Sequence, residues 1–143
     1  MFSCYKEYVR KRAIFSAEGE LDPAPGAQVT QMGYEYYPEC TEHVIRKVHK
    51  SFKGDLLITE NGIATEDDEI RIRYIDTAVK GVLKCRDEGL PVKGYMYWSF
   101  IDNWELQSGY SMQFGLVSLD RENQIHTPKP SLSFLGSFCR NRL

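Results

Sequence analysis

Glu60 ends the run Asp-Leu-Leu-Ile-Thr and is followed at once by Asn61 and Gly62, a dipeptide that turns the chain. A carboxylate where an apolar strand stops is costly unless its charge has a task. A second acidic cluster, Asp102 to Glu105, follows another apolar run, Val92 to Phe100, which contains Trp98. Two carboxylates and an indole suit a sugar. An indole face packs on the C–H face of a pyranose, and carboxylates accept bonds from its hydroxyls. One carboxylate can attack an anomeric carbon while another protonates the departing oxygen. On residue types alone, a loop-capping Glu60 and a core-packing Trp98 stay open as alternatives.

These residues need elements to position them. Residues 16–31 hold Gly, Pro, Asp and Ala without a period and read as a long loop. The segment 37–52 predicts a helix, with Pro38 in its first turn, Val44, Ile45, Val48 and Phe52 at helical spacing, and Gly54 closing it. Asp55 to Thr59 then reads as a short strand of the kind covered on both faces. Thr65-Glu66-Asp67-Asp68 resembles a capping box. The helix behind it runs from about Ile70 to Glu88, with Ile70, Tyr74, Ile75, Ala78, Val79, Val82 and Leu83 as its apolar face and Gly89 at C′. Val92 to Phe100 is a second strand, Ile101 to Gln113 a long loop, and Phe114 to Asp120 a short segment. Pro128 and Pro130 precede a last helix near Ser131 to Arg142. Strand, helix, strand with this crossover gives a parallel pair and an α/β sheet or barrel. Glu60 and the Trp98–Glu105 region both follow carboxyl ends of strands, so they open on the face where α/β folds bind ligands.

The 143 residues fit one domain, and a 42% hydrophobic, 27% charged composition allows a packed core. A net charge of −2 offers no basic footprint for nucleic acid or an anionic membrane. No run approaches the ~18 apolar residues of a membrane helix. Cys4, Cys40, Cys85 and Cys139 form no C-x-x-C unit and read as reduced thiols. The N-terminus has no continuous apolar h-region, and the expected location is cytoplasmic. His43, His49 and His126 read as surface residues with no metal spacing, Glu35 and Glu39 as structural, and Asp102 and Asn103 as holding their loop.

The motifs carry a family resemblance. "LLITENG" resembles the I-T-E-N-G nucleophile signature of family 1 glycoside hydrolases, the β-glucosidase group. "GYMYWSFIDNWELQSGYSMQFGLVSLD" resembles that family's G-Y-x-x-W-S-x-x-D-N-x-E-W-x-x-G-Y-x-x-R-F-G-L-x-x-V-D segment. "QMGYEYYPE" and "HTPKPS" resemble two further family stretches, in the family's order. The resemblance implies a (β/α)8 TIM barrel that hydrolyses β-linked glucosides with retention, without metal or cofactor. By position, Glu60 would be the nucleophile, Glu105 would grip hydroxyls of the nonreducing sugar, and Trp98 would be its stacking platform. Phe114 would lie near the primary-alcohol end of the ring, and Asn61 and Gly62 would shape the turn that presents Glu60. Leu106 replaces the usual tryptophan, Gln113 an arginine and Tyr34 a tryptophan. Trp104 stands where the family often has Phe, and its side chain is expected to point elsewhere. The Asn-Glu-Pro motif that carries the family's acid/base glutamate does not occur in the sequence.

The expectation is therefore a partial barrel. Residues 1–143 would form the C-terminal third of one barrel domain, about strands seven and eight with flanking helices, and 1–30 would be loop-rich. The implied partners are a β-glucoside or related small saccharide and a complementing N-terminal barrel segment. The alternatives are a catalytically inactive sugar-binding module and a non-functional remnant with exposed sheet edges.

Overall fold

The computed structural model describes residues 14–15, 21–23, 25–106 and 108–140. Within them lie strands β1 (Ile14–Phe15), β2 (Leu21–Asp22), β3 (Leu56–Asn61), β4 (Val92–Tyr97), β5 (Val117–Asp120) and β6 (Ile125–Pro128). The helices are α1 (Cys40–Ser51), α2 (Asp68–Asp87) and α3 (Pro130–Arg140). Where a loop is expected near the start, β1 and β2 pair antiparallel, and residues 1–13, 16–20 and 24 lie outside the described residues.

α2 is the centre of the fold. Asp67 is its N-cap, accepting from the amides of Glu69 at 2.9 Å and Ile70 at 3.4 Å. The expected Thr65 box is thus displaced by two residues, and Thr65 Oγ1 accepts from the Asp67 amide instead. An aspartate can reach both orphan amides, and its negative charge suits a helix N-terminus. The helix stops as expected at Gly89, whose φ of +88° lets the amides of Gly89 and Leu90 close onto the carbonyls of Arg86 and Cys85. The apolar stripe of α2 is buried at Tyr74, Ile75, Ala78, Val79, Val82 and Cys85. It divides the core into patches against α1, β3, β4 and α3. α1 differs from expectation at both ends. Pro38 stands before its N-cap Glu39, and the helix ends at Ser51, with Phe52 already extended and Gly54 outside it.

β3 and β4 pair in parallel from Leu56↔Val92 to Asn61↔Tyr97, joined through α2, as the order of elements predicted. The ladder is irregular where Ile58 to Asn61 faces Tyr95 to Tyr97, one residue more on β3. Such a bulge re-aims side chains at a strand end. Ile58 packs with α1 and α2, and Asn61 also turns inward, leaving both Thr59 and Glu60 exposed. β3 was expected to be covered on both faces. In the described residues only the helix face is, and Leu57 and Met96 are 51% and 52% exposed on the other. The fold is a partial α/β arrangement with no closed barrel among the described residues.

The segment after β4 returns alongside it. Amides of Leu116 and Val117 bond the carbonyls of Ser99 and Phe100, and the Asp102 amide bonds the Val117 carbonyl. β5 then pairs antiparallel with β6, a hairpin not foreseen from the sequence. The last helix begins at Pro130 and is described to Arg140.

Candidate active site

The carboxyl ends of β3 and β4 are fastened at one point, where the Trp98 amide donates to the Asn61 carbonyl at 2.9 Å. Asn61 is buried beneath it. Its Nδ2 donates to the Tyr74 hydroxyl at 3.0 Å, and its Oδ1 accepts from the Tyr95 hydroxyl at 2.8 Å. Burial pushes both phenols above their ordinary range, so both stay protonated, Tyr74 accepting from the amide and Tyr95 donating to it. This polar triad fixes the direction of the Asn61 side chain and, through the bulge, leaves its neighbour Glu60 at the surface. Gly62 is required beside it, because a Cβ there would lie 1.7 Å from the Trp98 carbonyl oxygen. The Asn61-Gly62 turn is thus a close backbone approach between two strand ends.

Trp98 stands on the other side of that approach. Its indole Nε1 donates to Glu105 Oε1 at 3.3 Å, and the residue is 38% exposed, not core. Glu105 is half-buried and held by a tight turn, with its amide donating to the Gly109 carbonyl at 2.8 Å. Phe114 is half-buried, and its carbonyl accepts from the Ser99 amide at 3.4 Å. Trp98 and Glu105 are therefore in direct contact, and Glu60 and Phe114 are within one residue of backbones bonded to the Trp98–Ser99 unit. Glu60 and Phe114 also line a cleft of about 480 Å³.

Two supports hold this end together. Asp102 Oδ1 accepts from the Gly115 amide at 2.6 Å, and its Oδ2 pairs with Lys129 Nζ at 2.8 Å, so Asp102 holds the loop as expected. The second support was not foreseen. Arg71 is fully buried. Its guanidinium pairs with Asp68 and donates to the carbonyls of Thr65 at 2.5 Å and Gln113 at 2.7 Å. It thereby ties the loop after β3 to the residue before Phe114. Gln31 Oε1 accepts from the Gln113 amide at 3.1 Å, so the same residue is held at both its backbone groups. Arg71 falls four residues before Ile75 on the apolar stripe, which is the signal a sequence reading could have used.

The departures from the family pattern are visible. Leu106, in the place of the family tryptophan, is 93% exposed. Trp104 stacks edge-on against Tyr110, ring centroids 4.9 Å apart, and Arg121 lies over the Tyr110 ring at 3.9 Å. Among the described residues no group of three or more His, Cys, Asp and Glu side chains could hold a metal ion. No helix among them is long and apolar enough to cross a membrane.

Parallel strands with helices on one face, and a carboxylate, an indole and a second carboxylate at their carboxyl ends, define a segment of an α/β barrel. The chain belongs to glycosyl hydrolase family 1, whose model matches residues 5–142. It is 34% identical over 122 residues to β-glucosidase A of Thermotoga maritima, a match covering 78% of this chain and 27% of that protein. It is 37% identical over 95 residues to a β-galactosidase of Saccharolobus solfataricus, covering 66% of this chain and 19% of that one. A β-glycosidase crystal structure superposes with a TM-score of 0.83 at 43% identity, covering 92% of this chain and 31% of that one. Thermotoga maritima β-glucosidase in complex with glucoimidazole superposes with a TM-score of 0.80 at 31% identity, covering 90% and 32%. The chain spans under a third of the length of these relatives.

Proposed function

We propose that this chain carries the nucleophile and the nonreducing-sugar contacts of a retaining β-glucosidase site and lacks the site's acid/base. The observation that supports this best is the Trp98–Glu105 bond at 3.3 Å beside the Asn61–Trp98 backbone link. It sets an indole and a carboxylate next to the strand end that presents Glu60. Glu60 would attack the anomeric carbon as the glycosidic C–O bond breaks and the aglycone leaves with the bonding pair. Water would then cleave the glycosyl ester, returning the carboxylate and a free sugar. Trp98 stacks on the sugar's C–H face, Glu105 accepts from its hydroxyls, and Phe114 bounds the primary-alcohol end.

The sequence holds no Asn-Glu-Pro, so nothing in it corresponds to the family residue that protonates the leaving group. General-acid help is worth ~10²–10⁴-fold. The reading therefore predicts that the isolated chain cleaves only aryl β-glucosides whose leaving phenol needs no proton. The test compares 2,4-dinitrophenyl β-glucoside with cellobiose, using the chain and Glu60→Gln. Slow release of dinitrophenol that disappears in Glu60→Gln, with cellobiose untouched, is the expected result. Cellobiose cleavage at the rate of a complete β-glucosidase would overturn the claim of a missing acid. Equal dinitrophenol release by Glu60→Gln would overturn the nucleophile. A second reading, a sugar-binding module without turnover, draws on the same Trp98–Glu105 pair. It predicts binding of glucose with no dinitrophenol release.

A further inference from the structure

Thr30 to Gly33 form a tight turn. The Gly33 amide donates to the Thr30 carbonyl at 2.9 Å, and Gly33 takes a φ of +75°, which glycine adopts without strain. The turn presents half-buried Gln31 to two loops that surround the site. The Gln31 backbone amide donates to the Ala64 carbonyl at 3.1 Å, in the loop after β3. Its side chain accepts at Oε1 from the Gln113 amide at 3.1 Å and donates from Nε2 to Glu66 Oε1 at 3.2 Å. A carboxamide accepts at one end and donates at the other, so a backbone donor and a carboxylate on its two sides fix which way it points. Gln113 is the residue before Phe114. Its carbonyl accepts from the Thr65 amide at 3.1 Å and from Arg71 Nη2 at 2.7 Å. The peptide planes on both sides of the Gln113 Cα are therefore held, one by Gln31 and the other by Thr65 and Arg71. Two held planes fix φ and ψ of Gln113, and with them the direction in which the chain enters Phe114. The Phe114 ring has no polar atom of its own, so no hydrogen bond can place it except through this backbone.

We propose that Gln31 is a positioning residue that sets Phe114 against the C5 hydroxymethyl group of the sugar, and so makes this site prefer hexopyranosides to pentopyranosides. This rests on the proposed function, in which Phe114 bounds the primary-alcohol end of the ring. The other holds on this stretch also support the rest of the site. Arg71 and Thr65 belong to the loop after β3 and the helix behind it, and the Phe114 carbonyl accepts from Ser99, next to Trp98. Gln31 reaches Gln113 from a turn that supplies none of Glu60, Trp98 and Glu105. Removing its side-chain oxygen leaves its backbone bond to Ala64, and leaves the Asn61–Trp98 link and the Trp98–Glu105 bond untouched. Such a change shifts the wall at C5 while the nucleophile and the stacking platform stay in place. The cost then falls on sugars that carry the hydroxymethyl group, because only they lose a contact.

The test measures dinitrophenol release by the full chain from 2,4-dinitrophenyl β-glucoside and from the β-xyloside, which is the same ring without the hydroxymethyl group. The chain should prefer the glucoside by about tenfold or more. Gln31→Met keeps the side-chain length without the acceptor. It should cut kcat/KM on the glucoside about fivefold and leave the xyloside within about twofold, whereas a general loss of structure would lower both alike. Gln31→Glu combined with Glu66→Gln exchanges donor and acceptor of the outer bond and keeps an oxygen for the Gln113 amide, so it should restore the preference. Phe114→Ala should abolish the preference, and adding Gln31→Met to it should change nothing further, because Gln31 acts through that ring. An equal loss on both sugars, an unchanged preference in Gln31→Met, no recovery in the exchanged pair, or additive effects with Phe114→Ala would overturn the proposal. A chain that releases no dinitrophenol from either substrate refutes the proposed turnover, and calorimetry with glucose and xylose then decides the role of Gln31. A glucose preference in binding that falls in Gln31→Met and returns in the exchanged pair upholds it, and a chain that binds neither sugar, or both alike, overturns it.

Discussion

Replacing Arg71 by Met tests how the two loops around the site are held. The methionine keeps an unbranched side chain in the buried slot but removes every donor. Asp68 is not stranded by the change, because it still accepts from the Ser131 amide and hydroxyl, both at 2.8 Å. The Gln113 carbonyl likewise keeps the Thr65 amide at 3.1 Å. The Thr65 carbonyl loses the side-chain donor it has at 2.5 Å. An unsatisfied buried carbonyl costs about 1–3 kcal/mol, and breaking a buried ion pair about 3–5 kcal/mol. Asp68's retained partners put the pair term at its low end, and Arg71 Nε, buried without a partner, is a cost the methionine removes. The expected net loss is about 3 kcal/mol, a fall of roughly 1–2 M in urea midpoint. Acid titration adds a sign. Burial raises the Asp68 carboxyl, but the bonds from Ser131 and Arg71 outweigh it, and the group lies below its ordinary value. Its contribution is thus full above the unfolded carboxylate range, about pH 4, and is lost as pH falls through the folded value. Arg71→Met should flatten that acid limb. A loss under about 1 kcal/mol with an unchanged acid limb would refute the account of Arg71 as the clasp between the loops.

Gly62→Ala should destabilise the chain by about 1–3 kcal/mol or more, because the new methyl meets the Trp98 carbonyl at 1.7 Å and backbone must move; a denaturation midpoint equal to that of the parent chain would contradict the close approach. Trp98→Phe keeps a ring but removes the donor to Glu105, so calorimetry should show glucose affinity falling about tenfold, near 1.4 kcal/mol, with little change in stability. Cys85 is fully buried and burial pushes its thiol up, so a thiol reagent at neutral pH should modify exposed Cys139 well before Cys85, which should react only on unfolding.

The parallel pair, the long second helix and its glycine stop were legible because each rests on local signals: an apolar run, a 3.6-residue stripe and a residue with φ of +88°. The position of Glu60 at a strand's carboxyl end was legible for the same reason. The bulge that turns Asn61 inward and Glu60 outward was not, because it depends on Tyr74 and Tyr95, which arrive from other elements. Arg71 was passed over since a charged residue on a helix is ordinarily solvated, and its acceptors lie in two loops remote in sequence. The β5–β6 hairpin was missed because its turn, Arg121 to Gln124, lacks the usual glycine. Asp120 instead accepts the amides of Glu122 and Asn123, and Gln124 takes the positive φ of 57°.

The most direct measurement of the central claim is to trap the glycosyl ester. The chain is incubated with 2,4-dinitrophenyl 2-deoxy-2-fluoro-β-glucoside, digested, and mapped by mass spectrometry. One fluoroglucosyl group on the peptide containing Glu60, absent in Glu60→Gln and slowed by Trp98→Ala, is the predicted result. A label on Glu105 or another carboxylate, or labelling that persists in Glu60→Gln, would contradict it.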